Sequence, residues 1–329
     1  MTGNTYNEKI AAVSFLGALS VVLIHINVAA PMGTFSWWVY QLTANGFCRW
    51  AVPFFFAVSG YFLAARVDDK GWWKAAVCKR FRTLAVPYFI WNMVMAVYVL
   101  CLILIANKMA GRELTANMLK GWDILMYFGL HPVKGGHYGA LWFIRSLFIY
   151  ILISPLLVVA IRKIGWLIPI VLLVLGSVQW PSNFYLGWVM YFAAGIAARF
   201  RLIHVGKYFG LGVILGMSWI YFHKKYMLDS EITGCWDSTP LPAVVMVVVG
   251  IWSVMPLALK IPAFLLHATF PIYLLHFFFI RLFTCVFSQP RTTHWQIVEW
   301  IAVIGLSVMT SCLLRRKMPK VSMVVFGGR

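Results

Sequence analysis

The chain has 329 residues, of which 62% are hydrophobic and only 11% charged, and its mean hydropathy is +0.83. So few charges cannot cover a surface that faces water on every side, which excludes an ordinary soluble domain. The formal net charge of +19 invites a nucleic-acid reading, but the basic residues fall in alternate loops rather than on one face, and that reading is excluded too.

What remains is an all-α, polytopic integral membrane helix bundle. A run of about 20 apolar residues crosses the hydrocarbon as a helix, and the runs predict about ten transmembrane helices. They lie near residues 11–30, 48–66, 83–106, 139–161, 164–180, 183–198, 208–222, 241–259, 264–286 and 295–314, with Pro181 alone dividing the fifth from the sixth. Lys9, the basic loop from Arg66 to Arg82, the pair Arg162-Lys163 and the cluster Arg315-Arg316-Lys317 all fall on one side. The positive-inside rule then places both termini in the cytoplasm. Lys9 stands against Glu8 before the first run, a poor n-region for a cleaved signal peptide. Residues 1–329 are read as one membrane domain.

In the first predicted span, His25 is an ionisable group at membrane depth. Such groups are costly unless paired or used, so a catalytic imidazole and one merely satisfied by a backbone carbonyl are the competing readings. The second span carries Pro53-Phe54-Phe55-Phe56-Ala57-Val58-Ser59-Gly60-Tyr61-Phe62-Leu63, where the small Ser59 and Gly60 allow another helix or a ligand to approach the backbone closely. Lys79-Arg80-Phe81-Arg82 then leads into a third span with Pro87 inside it. These cations are either topology anchors or a phosphate site.

The connection 107–138 carries Trp122, Asp123, Tyr127, His131 and His137, either an acceptor platform or an interfacial helix. Leu141-Trp142-Phe143-Ile144-Arg145 opens the fourth span, and Phe270-Pro271-Ile272-Tyr273-Leu274-Leu275-His276 lies in the ninth. Six cysteines, Cys48, Cys78, Cys101, Cys235, Cys285 and Cys312, form no C-x-x-C pair, so neither a metal site nor a redox motif is expected. Cys48 and Cys235 could both face the outside, where a disulfide between them is one open reading.

Taken in order, these segments resemble acyltransferase family 3, the integral-membrane enzymes that take an acyl group from cytoplasmic acyl-CoA and place it on hydroxyl groups. The resemblance rests on the first span ending Val21-Val22-Leu23-Ile24-His25, the Phe-Phe-x-x-Ser-Gly-Tyr-Phe-Leu stretch, the Lys-Arg-x-Arg-x-Leu-x-x-Pro-Tyr stretch, and Leu141 to Arg145. Weaker echoes are the His276 segment and the tail Pro319-Lys320. One departure is Ser14, which stands eleven positions before His25 where the family usually has a basic residue. Arg145 or a snorkelling Lys9 is the candidate to supply that charge.

The resemblance implies an O-acetyltransferase that uses acetyl-CoA, needs no metal, and acts on a carbohydrate or other envelope hydroxyl in a cell membrane, the bacterial inner membrane above all. His25, with an ordinary pKa of about 6.5, is the candidate general base, and Arg145 stabilises either an oxyanion or a donor phosphate. Lys79, Arg80 and Arg82 are expected to hold the phosphates, Ser59, Gly60 and Tyr61 to line the pantetheine arm, and His137, Trp142 and His276 to serve the acceptor side. No residue is assigned to orient His25; Asn27 or a carbonyl serves equally well, and of the carboxylates only Glu299 and Asp123 lie near a span. The rival readings are a transporter whose His25, Arg145 and His276 line a polar pathway, and a scaffold subunit of an envelope assembly.

Overall fold

A computed structural model describes residues 3–28, 30–109, 139–178, 184–201, 210–229, 241–255, 260–287 and 292–328. Among the described residues the regular structure is helical, without a strand. In chain order the helices are α1 (Gly3–Ile24), α2 (Phe35–Thr43), α3 (Ala51–Ala64), α4 (Trp72–Arg80), α5 (Val86–Met109), α6 (Trp142–Ile164), α7 (Leu167–Val178) and α8 (Phe184–Phe200). They continue with α9 (Leu211–Asp229), α10 (Leu241–Val254), α11 (Ala263–Val286), α12 (Thr293–Lys317) and α13 (Pro319–Val325). A 3-10 turn, Phe47–Trp50, precedes α3, and a π-helical turn, Phe81–Ala85, joins α4 to α5.

Among the described residues, five stretches are long and apolar enough to cross a membrane: Asn7–Ile24, Phe35–Ala64, Gly139–Ile164, Ala263–Thr284 and Thr293–Lys317. Their outward faces carry large apolar side chains, such as Leu156 and Ile301, that suit contact with lipid tails. Residues 35–43 fall between the first two predicted spans. There the chain forms α2, because Thr34 caps it: its hydroxyl oxygen accepts from the Trp37 N–H at 3.3 Å.

The first run was expected to stay helical to residue 30, yet α1 ends at Ile24. His25 itself stops the helix. Its ring takes the Val21 carbonyl that its own backbone N–H would use in a continuing α-helix, and that N–H turns to Val22 O at 3.1 Å instead. The Cys48–Cys235 disulfide that the sequence left open is not formed, since Cys48 is a buried free thiol. Cys235 lies outside the described residues.

The described chain forms two compact units, one of Met1–Trp73 with Ile153–Val308, the other of Lys74–Leu152 with Met309–Arg329. In the first, α3 and α8 pack backbone to backbone. A Cβ on Gly195 would overlap Ala57 O and one on Gly60 would overlap Phe192 O, which is how small residues let membrane helices approach. Also in this unit, Phe15, Ala18, Val22 and Ile26 of the α1 stretch pack with Ala268, Ile272 and Ile280 of α11 and Val303 of α12. That apolar seam sets the register that aims His25.

In the second unit, α5 is held to the C-terminal segment. The Trp91 indole N–H donates to Val325 O at 3.2 Å, and Gly327, at φ +63°, lies against the Thr83 carbonyl where a Cβ would not fit. Pro87 has no N–H to give Thr83, its acceptor four residues back, so the chain widens here into the π-turn, whose closing bond runs from the Val86 N–H to Phe81 O.

Candidate active site

In the first unit the ring of His25 turns into the protein rather than toward lipid. Its Nδ1 lies 2.8 Å from Val21 O. A carbonyl can only accept, so Nδ1 carries the hydrogen and donates it, and Nε2 is left with the lone pair of a base. The apolar seam brings His276 of α11 against it, with ring centroids 4.9 Å apart at an interplanar angle of 59°. His276 is fully buried. Its Nδ1–H donates to Tyr273 O at 2.7 Å, while its Nε2 is buried without a hydrogen-bond partner. Phe277, the next residue of α11, also meets the His25 ring, edge-on at 5.9 Å.

Two residues of α12 grip the end of α1. The Gln296 amide donates to Ile26 O at 3.1 Å and the Trp300 indole N–H to Leu19 O at 2.9 Å. Glu299, only 1% exposed, shares that helical face, three residues after Gln296 and one before Trp300.

Arg49, which the sequence offered only as a cation within a span, lies within electrostatic range of both His25 and Tyr40. It donates to Asn45 Oδ1 at 3.3 Å, and Asn45 donates in turn to Gln41 Oε1 at 3.3 Å. Lys224 reaches the same Gln41 oxygen at 3.1 Å. Asn27, weighed as an orienting residue for His25, accepts from the Tyr40 hydroxyl at 2.8 Å; the Val21 carbonyl makes the bond to the ring.

Other sequence-derived candidates are placed separately. Gly60 is closed off by the α8 backbone, Ser59 is half-buried on α3, and the Tyr61 hydroxyl accepts from Arg199 at 3.3 Å. Lys9 donates to Trp252 O at 2.7 Å and lies 4.4 Å over the Trp252 ring, so its cation is engaged at the last turn of α10. In the second unit, Lys79 and Arg80 end α4, Arg82 lies in the π-turn, and Trp142 and Arg145 lie in the first turn of α6. Arg145 acts electrostatically on Tyr88 of α5. His137 lies outside the described residues. Among the described residues no group of three His, Cys, Asp or Glu is placed to hold a metal ion.

The two imidazoles, each with its Nδ1–H tied to a backbone carbonyl, are groups of the kind that can exchange a proton. No curated protein and no solved structure matches the chain. The family model of acyltransferase family 3, described as an acyltransferase domain, matches residues 13–316. From α1 to the last turn of α12 the helices and the imidazole pair fall inside that match, and the chain belongs to acyltransferase family 3 as a multi-pass membrane protein.

Proposed function

We propose that the protein moves an acyl group, acetyl in the simplest case, from acyl-CoA on the cytoplasmic side to a hydroxyl of a carbohydrate or other envelope acceptor in a bacterial inner membrane. Family membership supports acyl transfer in general. The alternating basic loops support about ten spans with both termini cytoplasmic. The observation that carries the reading is the His25 ring, whose Nδ1–H is tied to Val21 O, so that Nε2 is the basic atom.

In this mechanism Nε2 takes the proton of the acceptor hydroxyl as its oxygen attacks the thioester carbonyl. The C–O bond forms, the carbonyl becomes an oxyanion, and its collapse breaks the C–S bond. The departing CoA sulfur takes the proton back from Nε2, so His25 ends as it began. The positive charge held meanwhile on the ring is favoured by the Val21 carbonyl dipole. His276 and Trp142 serve the acceptor side, as does His137.

Lys79, Arg80 and Arg82 carry the donor's phosphates, for which charge-assisted hydrogen bonds are suited. Arg145 takes an anionic group of the donor or of the transition state, and kinetics separate the two: Arg145→Gln raises KM for acyl-CoA in the first case and lowers kcat in the second. The test of the whole reading is purified protein given radiolabelled acetyl-CoA and candidate glycans. Label appearing on a hydroxyl acceptor is expected. Uptake of an unmodified solute into proteoliposomes, without acyl transfer, would establish a transporter instead.

A further inference from the structure

The first unit also holds an apolar groove of about 320 Å³ that does not include His25. Its floor is made where α3 and α8 touch at Ala57 and Gly195, and beside that contact the small, half-buried Ala194 leaves the depression open. Leu173 of α7 walls one side and Val249 of α10 the other. Along α3 the groove runs from Tyr61 to Phe54, seven residues and about 10 Å of helix. Ile170, at its edge, is 52% exposed, so the groove opens sideways, where apolar side chains face the bilayer.

One end differs from the rest. There Tyr61 and Trp166 close the groove, and each is bound to an exposed arginine. Arg199 donates to the Tyr61 hydroxyl at 3.3 Å with its guanidinium 5.4 Å from the ring centre; the Trp166 indole N–H donates to the backbone carbonyl of Arg201 at 3.2 Å, whose guanidinium lies against Gly165, the residue before Trp166. The result is an alkyl-sized trough with two guanidinium groups at its polar end. A hydrocarbon chain fits those walls, whereas the amides of a pantetheine arm would be desolvated against Leu173 and Val249 with no side-chain partner there. A phosphate group suits the arginine pair.

We propose that this groove is a lipid-binding site that takes one acyl chain of an anionic phospholipid, with the phosphate held by Arg199 and Arg201. It is independent of the acyl-transfer reading. Each arginine at a charged membrane surface is worth roughly fivefold in binding, so the pair gives about thirtyfold preference for phosphatidylglycerol over phosphatidylcholine with the same chains.

Native mass spectrometry of the purified full-length chain in detergent, titrated with each lipid, reads this preference directly. Arg199→Gln with Arg201→Gln, both on the surface, should bring phosphatidylglycerol down to the level of phosphatidylcholine. Ala194→Phe, which fills the trough, should remove tight binding of either lipid while the melting temperature in lipid-free detergent stays unchanged. Equal retention of the two lipids by the wild type overturns the proposal. So does displacement of phosphatidylglycerol by acyl-CoA, which would make the groove a donor site, or equal binding of glycerol phosphate without chains, which would leave an anion site and no role for the trough.

Discussion

The ring of His25 does two things, and replacing it with asparagine keeps only one of them. The amide nitrogen of Asn reaches the place of Nδ1 and preserves a donor for Val21 O, which the ring now meets at 2.8 Å; nothing replaces Nε2. Removing a general base costs about 10²- to 10⁴-fold in rate, or about 3 to 5.5 kcal/mol in the barrier. Alanine removes the ring altogether and empties the space it fills against His276 and Phe277, at a cost of about 2–5 kcal/mol.

His25→Asn should therefore lose acyl transfer by that factor with an unchanged melting temperature in detergent. His25→Ala should lose the same activity and also melt several degrees lower, at about 2–4 °C per kcal/mol for a unit of this size. Label transfer from radiolabelled acetyl-CoA, measured beside thermal unfolding of the same samples, supplies both numbers. An asparagine variant that keeps more than about a tenth of wild-type turnover would refute the assignment of Nε2 as the base.

Other substitutions test the scaffold around the site. Gly195→Ala sets a methyl group against the Ala57 carbonyl and should cost about 1–3 kcal/mol or more by overpacking, whereas Gly305→Ala on α12, with open space around it, should be neutral or stabilise by about 0.5–1 kcal/mol; similar melting temperatures for the two would contradict the close α3–α8 contact. Lys9→Met removes the donor to Trp252 O and should lower stability by about 1–3 kcal/mol with no change in KM for acyl-CoA, because that cation is engaged at α10; a raised KM would show that Lys9 serves the donor. Gly327→Ala forces a Cβ onto the Thr83 carbonyl at a left-handed φ of +63° and should free the C-terminal segment from α5, seen as faster hydrogen exchange at Trp91 and Val325; unchanged protection would contradict that packing.

Membrane residence, the all-helical class, most helix positions and the presence of an ionisable His25 within an apolar run are legible in the linear chain. They follow from the length of apolar runs and from the cost of an ionisable group among them, both local properties. The extent of α1 is less so. A hydropathy run takes no account of a side chain that competes for a backbone carbonyl, and His25 ends its own helix in that way.

What only the tertiary structure decides is which groups meet. His276 lies 251 positions after His25 and reaches a ring separation of 4.9 Å because α1 packs against α11 through the Val22, Ile26 and Ile272 seam. Gln296 and Trp300, more than 270 positions along the chain from α1, fasten α12 to the carbonyls of Ile26 and Leu19. Gly60 and Lys9, open to several readings in the sequence, are taken up by the α8 backbone and by the end of α10. Hydrophobic pattern specifies that a face is buried; the partner of that face is chosen by the interlocking of side chains from distant helices, which no local spacing encodes.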